Sequence, residues 1–388
     1  MNFDSLFNFY MPTRIIHGFG SVAETGREAA ALGMKKALLV TDKGVKGAGL
    51  TDKVVASLAA AGVPVVVFAD VEEDPGTKTV GRGLELLKAE GCNGVVIVGG
   101  GSPLCAGKGI ALLATNGGAL PDYEGADKFK VPPLPVIGIP TTAGAGSEVS
   151  SAFIITDEKR NYKMSIWGKT GFPEVAILDP LLLANIPYAA GMNAGMDALS
   201  HAVGACSTVL ATPLTDALAV SAIAMMIKNL APAILTGDLE AKNQQLLASV
   251  MANIACGNAR LDLIHALSHP LGSRHMPHGL ANGILVPYVM DYNLPVCADT
   301  FARISVALGE AQPGMTTMDL AARAIECVRE LFVQTGFPRR IPADVATEKD
   351  IPEMVKQAMT RPMIKLNKRR CNEKDLVEIY RQALAGWE

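Results

Sequence analysis

Histidine is scarce in this 388-residue chain, and five of its six copies lie between His201 and His278. Four of those five fall within one short segment that begins at His265. His265 and His269 are four residues apart, which places both on one face of a helix if the segment is helical. Upstream, Asp197 and His201 repeat this spacing with a carboxylate and an imidazole. Such clustering of a rare residue indicates a chemical role.

Asp197, His201, His265 and His278 together offer one anionic oxygen and three neutral nitrogens. This donor set suits Fe²⁺ or Zn²⁺ and suits Mg²⁺ or Ca²⁺ poorly. Buried polar side chains need partners, and one metal ion would satisfy all four. The alternative for either pair alone is a packed or capping arrangement with no metal.

Short apolar runs alternate with amphipathic stretches in the first half of the chain. Continuous Val, Ile and Leu are typical of strands buried on both faces, so the pattern predicts a parallel sheet covered by helices. The predicted strands are residues 37–42, 63–68, 94–98, 134–139, 153–157, 163–166 and 175–179. The predicted helices are residues 49–61, 77–90 and 102–115.

After Pro187 the pattern changes, because Ala, Leu and Met recur at helical spacing and few β-branched runs remain. We therefore expect two domains: a Rossmann-like α/β domain with a mostly parallel sheet over residues 1–185, and an all-helical domain over residues 186–388. The predicted helices of the second domain are residues 197–210, 213–230, 240–258, 299–308, 318–334, 353–360 and 373–385.

Composition argues against several classes of partner. The formal net charge is −3 without a basic block, which does not favour nucleic acid or an anionic membrane surface. Seven dispersed cysteines without a Cys-x-x-Cys motif indicate reduced thiols in the cytoplasm. The first residues lack the features of a signal peptide, and the longest apolar stretch, residues 218–227, is too short to span a bilayer.

Three consecutive glycines, Gly99, Gly100 and Gly101, followed by Ser102, end one predicted strand and begin a helix. Glycines let the backbone approach a phosphate closely, and the helix N-terminus offers free N–H groups and a partial positive charge. The segment therefore predicts a phosphate-binding loop. Because the spacing is not Gly-x-Gly-x-x-Gly, a plain tight turn stays open as the alternative.

Asp42 follows an early strand, where a carboxylate can accept both ribose hydroxyls and would repel a 2′-phosphate, which favours NAD over NADP. An ordinary helix-capping aspartate is the alternative. A second small, hydroxyl-rich loop, residues 140–148, follows a later strand and could bind a phosphate or carboxamide. Lys163 could reach a phosphate or ribose, or could be a solvated surface charge.

Together these motifs resemble the iron-dependent (group III) alcohol dehydrogenase family, which has a dehydroquinate synthase-like fold. The resemblance is carried by residues 16–20, 99–103, 140–148, 177–180, 195–201, 265–270 and 277–279. It implies a nucleotide-binding α/β domain, a helical domain and an active site between them. The implied reaction is hydride transfer between NAD(H) and a small primary alcohol or aldehyde, with Fe²⁺ or Zn²⁺ polarising the substrate oxygen. The family also implies a homodimer or larger homo-oligomer.

The resemblance assigns roles to individual residues. It places the metal on Asp197, His201, His265 and His278, and it makes His269 the histidine near the substrate. His269 is our candidate proton relay, since imidazole titrates near neutral pH, with a packed helical histidine as the alternative. By the resemblance, the cofactor-contacting positions are Asp42, Gly100, Gly101, Ser102, Thr141, Thr142 and Lys163, and Gly99 and Ser147 of the same two loops are further candidates.

Three departures from the family pattern affect these assignments. Cys105 stands where the family usually carries Asp, and Gly107 replaces a usual Ala. The run from His269 to His278 is one residue shorter than expected. His275 occupies a place where the family tends to have an aromatic or other residue, and it stays an alternative ligand to His278.

Other functions remain to be distinguished. A glycerol-type polyol or hydroxy-acid dehydrogenase of the same fold is one alternative, and a dehydroquinate-synthase-like lyase is another. The lyase needs several basic residues around its substrate, whereas the metal motifs here are flanked only by Arg260 and Arg274. A metal or nucleotide sensor is a third alternative, but no segment is left over to form an output domain.

Overall fold

The structure is a computed structural model and describes residues 6–388. Among these residues the apolar runs of the first half form nine strands. They are β1 (Arg14–His17), β2 (Ala37–Val40), β3 (Val65–Phe68), β4 (Gly94–Gly99), β5 (Gly125–Ala126), β6 (Val136–Pro140), β7 (Phe153–Asp157), β8 (Tyr162–Trp167) and β9 (Val175–Leu178). Six of them build one parallel sheet in the order β1-β9-β6-β4-β2-β3.

The central strands of this sheet are buried on both faces, as continuous apolar runs predict. Every residue of β2, β4, β6 and β9 is buried. Leu38 and Ile97 belong to a core cluster with Leu104 and Ile110, which lie on the helix after β4. Their chain neighbours Leu39 and Val96 are equally inaccessible.

The strands predicted at residues 153–157 and 163–166 lie outside the parallel sheet. They form β7 and β8, an antiparallel hairpin in which Phe153 pairs with Ile166, and β5 extends it into a separate three-stranded sheet. The physical reason is the short connection between them, since a parallel pair needs a crossover of a dozen or more residues.

Five α-helices accompany the strands in the part of this half that the structure describes. They are α1 (Thr25–Ala31), α2 (Lys43–Gly47), α3 (Asp52–Ala60), α4 (Thr77–Ala89) and α5 (Gly101–Asn116). Gly107 of α5 lies directly over β4, where an added Cβ would come within 2.5 Å of the Ile97 side chain. The departure from alanine at this position thus lets α5 pack closely on the sheet.

Eight further helices form the second half of the chain. They are α6 (Tyr188–Ser207), α7 (Pro213–Ala231), α8 (Leu239–Ala259), α9 (Leu263–Gly272), α10 (His278–Leu308), α11 (Thr317–Thr335), α12 (Ile351–Met359) and α13 (Glu373–Ala385). The predicted fold class, an α/β part followed by a helical part, is confirmed.

Helix α10 is much longer than the helix predicted at residues 299–308. It runs for 31 residues with Pro287 and Pro295 inside it, although proline removes a helical hydrogen bond. Its inner side is buried in the helical core, with Leu285, Val289 and Phe301 inaccessible to solvent. Tertiary packing of this side outweighs the local preference for a break.

The chain divides into two compact units. One is Met11–Ile186, and the other is Pro187–Glu388 together with the described residues 6–10. The backbone of Tyr10 joins the second unit by hydrogen bonds with the side chain of Asn258, at 2.8 and 3.2 Å.

In the described part of the chain, one helical segment, Pro213–Thr236, is long and apolar enough to cross a membrane by length and composition. This segment is longer than the apolar stretch at residues 218–227 because it also includes helical turns of lower hydrophobicity at both ends. Ile223, Met226 and Leu230 lie in the core of the helical unit without solvent exposure. This segment is therefore packed as a core helix.

Candidate functional site

Helices α6 and α9 bring three potential metal ligands together. Asp197 and His201 lie one turn apart on α6, and His265 lies in the first turn of α9. All three residues are buried, and one ligand atom from each lies within 4.8 Å of the others. The His201 and His265 rings are stacked, with centroids 4.9 Å apart and planes 6° from parallel.

His278, the first residue of α10, lies beside this cluster. Its Nε2 is 3.7 Å from Asp197 Oδ1, and its ring centroid is 5.6 Å from that of His265. The position depends on the next residue, because a Cβ on Gly279 would lie only 2.1 Å from the carbonyl oxygen of Asn193 on α6. The four side chains predicted as metal ligands are thus neighbours.

The structure adds Asn282, which the sequence did not single out. It lies one helical turn after His278 and is fully buried. Its Nδ2 donates to Asp197 Oδ1 at 2.8 Å and lies 3.2 Å from His265 Nε2 and 3.0 Å from His278 Nε2. The helical i, i+4 spacing from His278 is the signal that could have found it.

The residues of this cluster fit a divalent transition metal. Burial lowers the pKa of His201 and holds the pKa of His265 well below its usual value, so both rings are neutral, as metal ligation requires. Asn282 places its amide among one carboxylate oxygen and two imidazole nitrogens, which points these donor atoms toward one another. An oxygen and three nitrogens are donors that Fe²⁺ and Zn²⁺ accept.

Two other histidines flank the cluster. His269 lies one turn beyond His265 on α9, is half-buried, and contributes to the low pKa of the His265 ring. His275 lies in the connection between α9 and α10, is exposed, and has a left-handed backbone with φ of 64°. Burial also raises the pKa of Asp262, the residue that caps α9, to about 7.

The glycine loop lies against the second predicted cofactor loop. A Cβ on Gly100 would lie 3.3 Å from Thr142, and a Cβ on Gly101 would lie 3.2 Å from Ala145. Thr141 donates its backbone N–H to the Gly99 carbonyl at 3.1 Å. The loop leads into the N-terminus of the 16-residue helix α5, where free N–H groups favour an anion. This arrangement can bind a phosphate.

Ser102 and Lys163 both contact Asp74, a residue that the sequence did not indicate. Asp74 donates its backbone N–H to Ser102 Oγ at 3.3 Å, and its carboxylate lies 2.7 Å from Lys163 Nζ. Asp74 has a left-handed backbone, with φ of 54°. Lys163 is therefore one member of a solvent-exposed ion pair.

Asp42 caps a helix, as the alternative interpretation of this residue predicted. Its Oδ1 accepts the backbone N–H of Val45 at 2.8 Å and caps the short helix α2. This capping hydrogen bond uses one of the two carboxylate oxygens of Asp42. Ser147, the last of the predicted cofactor residues, is buried, and its Oγ has no hydrogen-bond partner among the described residues.

A buried lysine, Lys108, holds the segment after the second loop and was not predicted. Lys108 of α5 donates from Nζ to the carbonyls of Ser147, Ser150 and Ala152 at 2.7–2.9 Å. Burial lowers the pKa of Lys108 to about 8 and raises that of Glu148 to about 7. Cys105, one turn before Lys108, accepts the backbone N–H of Ile154 at 3.4 Å. These contacts attach the 147–154 segment to α5.

Comparison with known proteins identifies the class. The family model described as iron-containing alcohol dehydrogenase matches residues 12–180, and the model described as the C-terminal part of the Fe-containing alcohol dehydrogenase family matches residues 191–384. The chain belongs to the iron-containing alcohol dehydrogenase family. It is accordingly an oxidoreductase that acts on alcohols or aldehydes, as the resemblance predicted.

Individual relatives cover nearly the whole chain. The 1,3-propanediol dehydrogenase of Citrobacter freundii is 39% identical over 382 residues, which is 97% of this chain and 99% of that protein. The NAD-dependent methanol dehydrogenase of Bacillus methanolicus is 36% identical over 379 residues, 97% of this chain and 100% of that protein. A crystal structure of a 1,3-propanediol oxidoreductase superposes with a TM-score of 0.95 at 38% identity, covering 98% of this chain and 100% of that chain.

Proposed function

We propose that this protein transfers hydride between NAD(H) and a small primary alcohol or aldehyde, with a divalent iron ion held by Asp197, His201, His265 and His278. The observation that carries the proposal is the meeting of one carboxylate and three imidazoles, drawn from α6, α9 and the start of α10. When bound, the metal supplies a Lewis acid for the substrate oxygen, and NAD supplies the hydride acceptor.

The chain's own residues do the rest of the work in this proposal. Burial keeps His201 and His265 neutral. Asn282 holds the Asp197 carboxylate by a 2.8 Å hydrogen bond. His269, half-buried one turn from His265, is the proposed proton relay between the substrate hydroxyl and solvent.

The α/β unit would bind the dinucleotide. Gly99, Gly100, Gly101 and Ser102 would receive the pyrophosphate at the N-terminus of α5. The other proposed cofactor contacts are Asp42, Thr141, Thr142, Ser147 and Lys163. Asp42 retains one carboxylate oxygen, Oδ2, beyond its cap and could accept a ribose hydroxyl with it. In this proposal, Met11–Ile186 is the dinucleotide-binding domain, and Pro187–Glu388 with residues 6–10 is the metal-binding domain; the predicted division into residues 1–185 and 186–388 is thus kept except at the start of the chain.

Asp197→Ala tests the metal site directly. We expect loss of stoichiometric iron and of alcohol oxidation, because one anionic ligand is gone, while NADH binding measured by fluorescence titration stays close to wild type. Asp291→Ala is a matched control, since Asp291 pairs with Arg329 at 2.5 Å in the same helical unit. Full activity of the wild type after exhaustive chelation would contradict the proposal.

The finer features of the function belong to the same proposal. The relatives named for 1,3-propanediol and methanol support a small alcohol as substrate. Metal analysis of protein purified without oxygen distinguishes Fe²⁺ from Zn²⁺. We also propose a cytoplasmic location, supported by seven free cysteines, and a homodimer or larger homo-oligomer, which light scattering would test.

A further inference from the structure

Asp262 is a fully buried carboxyl group at the start of α9. Its Oδ1 accepts the backbone N–H of Ile264 at 3.0 Å and so caps the helix. Gly204 of α6 leaves room for it, because a Cβ there would lie 2.9 Å from Asp262 Oδ1. Helix capping requires an acceptor but not burial, and the cap of α8, Asp238, is exposed. The burial of Asp262 therefore calls for a second explanation.

The His265 ring separates two environments. Its Nε2 faces the donor cluster, 3.2 Å from Asn282 Nδ2. Its Nδ1 faces Asp262, 3.7 Å from Oδ1. Within the described chain, His265 Nδ1 and Asp262 Oδ2 are both buried and both lack a hydrogen-bond partner. A rotation of the carboxylate that turned Oδ2 toward Nδ1 would satisfy both atoms at once.

We propose that Asp262 is a positioning residue: it accepts a hydrogen bond from Nδ1–H of His265, fixes that tautomer, and leaves Nε2 unprotonated to bind the metal. The inference rests on the metal site proposed above and deepens it. A neutral imidazole carries one proton, so a partner that accepts at Nδ1 makes Nε2 the free donor. Carboxylates commonly act on metal-binding histidines in this way.

Asp262→Asn gives a sharp test because it keeps the capping oxygen and changes only the second one. With the side chain turned as proposed, the new carboxamide would present its N–H group to His265 Nδ1, which must then accept, so the proton moves to Nε2. We expect the dissociation constant for Co²⁺, read from its visible absorption in metal-stripped full-length protein, to rise about 10- to 100-fold. Asp238→Asn, the same change at a cap without a histidine neighbour, should leave it unchanged.

The tautomer itself is measurable without any metal. In ¹⁵N-histidine-labelled protein, two-dimensional NMR should show His265 protonated at Nδ1 in the wild type and at Nε2 in Asp262→Asn. Loss of one signal set in a His265→Asn variant assigns the resonances. A protonated Asp262 would donate to Nδ1 and give the Nε2–H form in the wild type, which would overturn the inference.

The outcomes separate the two proposals. A wild type that binds no Co²⁺ overturns the proposed metal function and this inference with it. Unchanged Co²⁺ affinity in Asp262→Asn overturns the inference alone. If that variant does not fold, Asp262→Ser decides: it retains a capping hydroxyl that cannot reach Nδ1, and we expect a smaller loss of affinity with His265 present as both tautomers. A single Nδ1–H form in Asp262→Ser would refute the assignment.

Discussion

At the scale of single residues, Asn282 shows how a neutral side chain can organise charged and titratable ones. Its amide has two protons, yet one carboxylate oxygen and two imidazole nitrogens lie within 3.2 Å of Nδ2, while its Oδ1 is buried without a partner among the described residues. The amide can donate to at most two of these three atoms. A cation that takes over the imidazole nitrogens would leave the amide to Asp197 alone, so metal binding resolves this mismatch.

Glu148 carries a prediction about stability. Burial raises its pKa from 4.5 to about 7, so the folded chain binds more protons than the unfolded chain between these values. Its contribution to the free energy of unfolding therefore falls as pH rises through that window. We expect the stability of Glu148→Gln relative to wild type, from urea unfolding, to increase by roughly 1–3 kcal/mol between about pH 5 and pH 8.

Lys108, the charged neighbour of Glu148, does not reverse this sign. Its pKa of about 8 lies above the window, and loss of the carboxylate would lower that pKa further, which again favours the variant as pH rises. A stability difference that is flat with pH would show that Glu148 ionises as readily in the fold as in the unfolded chain.

The types and spacing of single residues predicted part of the site. Rare histidines at helical intervals, with Asp197, indicated the donor set. Asn282, Asp262 and Asp74 went unnoticed because Asn and Asp are common at caps and turns, and their roles here depend on which helices or loops lie beside them. Such neighbours are a product of tertiary packing, which no local pattern in the chain records.

At the scale of elements, α6 and α10 approach closely because glycines face the contact. Gly283 continues the contact begun at Gly279, since its added Cβ would lie 2.8 Å from the Met196 Cβ. This approach places His278 next to Asp197. The Pro-His-Gly motif at residues 277–279 thus has a packing role beside the metal-binding role proposed for His278.

Gly279→Ala should therefore disturb both stability and metal binding. We expect a loss of about 1–3 kcal/mol, since the added methyl group overlaps the Asn193 carbonyl, and weaker Co²⁺ binding because His278 moves with the helix. Gly257→Ala in α8 is the control: its Cβ meets open space, so it should stabilise by about 0.5–1 kcal/mol. Thermal unfolding and Co²⁺ titration measure both, and equal behaviour of the two variants would contradict the packing argument.

Hydrophobic periodicity predicted whether each element is a helix or a strand. It did not predict where an element begins and ends or which other elements it packs against. Phe153–Asp157 and Glu373–Ala385 have the predicted bounds, because hydrophobic pattern and flanking turns agree there. Helix α6 begins nine residues before the predicted start, since its first turns are rich in Ala and Gly, which carry little hydrophobic pattern. The hairpin of β7 and β8 and the unbroken α10 depend on long-range contacts.

At the scale of the whole molecule, the seven cysteines report on packing. Cys105 and Cys371 are partly accessible and the other five are buried, where burial raises the pKa of thiols such as Cys297 to about 11. We expect a thiol reagent to modify at most two cysteines in the native protein and all seven after denaturation in guanidinium. Rapid reaction of more than two native thiols would show that the buried helices open readily.

The hydrogen bonds between Tyr10 and Asn258 affect how this protein can be divided into fragments and how its chain is synthesised. Because residues 6–10 belong with Pro187–Glu388, the helical unit is discontinuous in sequence. A fragment that begins at residue 187 would therefore lack residues 6–10 and the hydrogen bonds of Tyr10. On the ribosome, residues 6–10 emerge before Asn258, and the hydrogen-bonding partners Tyr10 and Asn258 are 248 positions apart in the chain. A circular permutation that joins residue 388 to residue 6 and opens the chain near residue 186 would make the helical unit continuous.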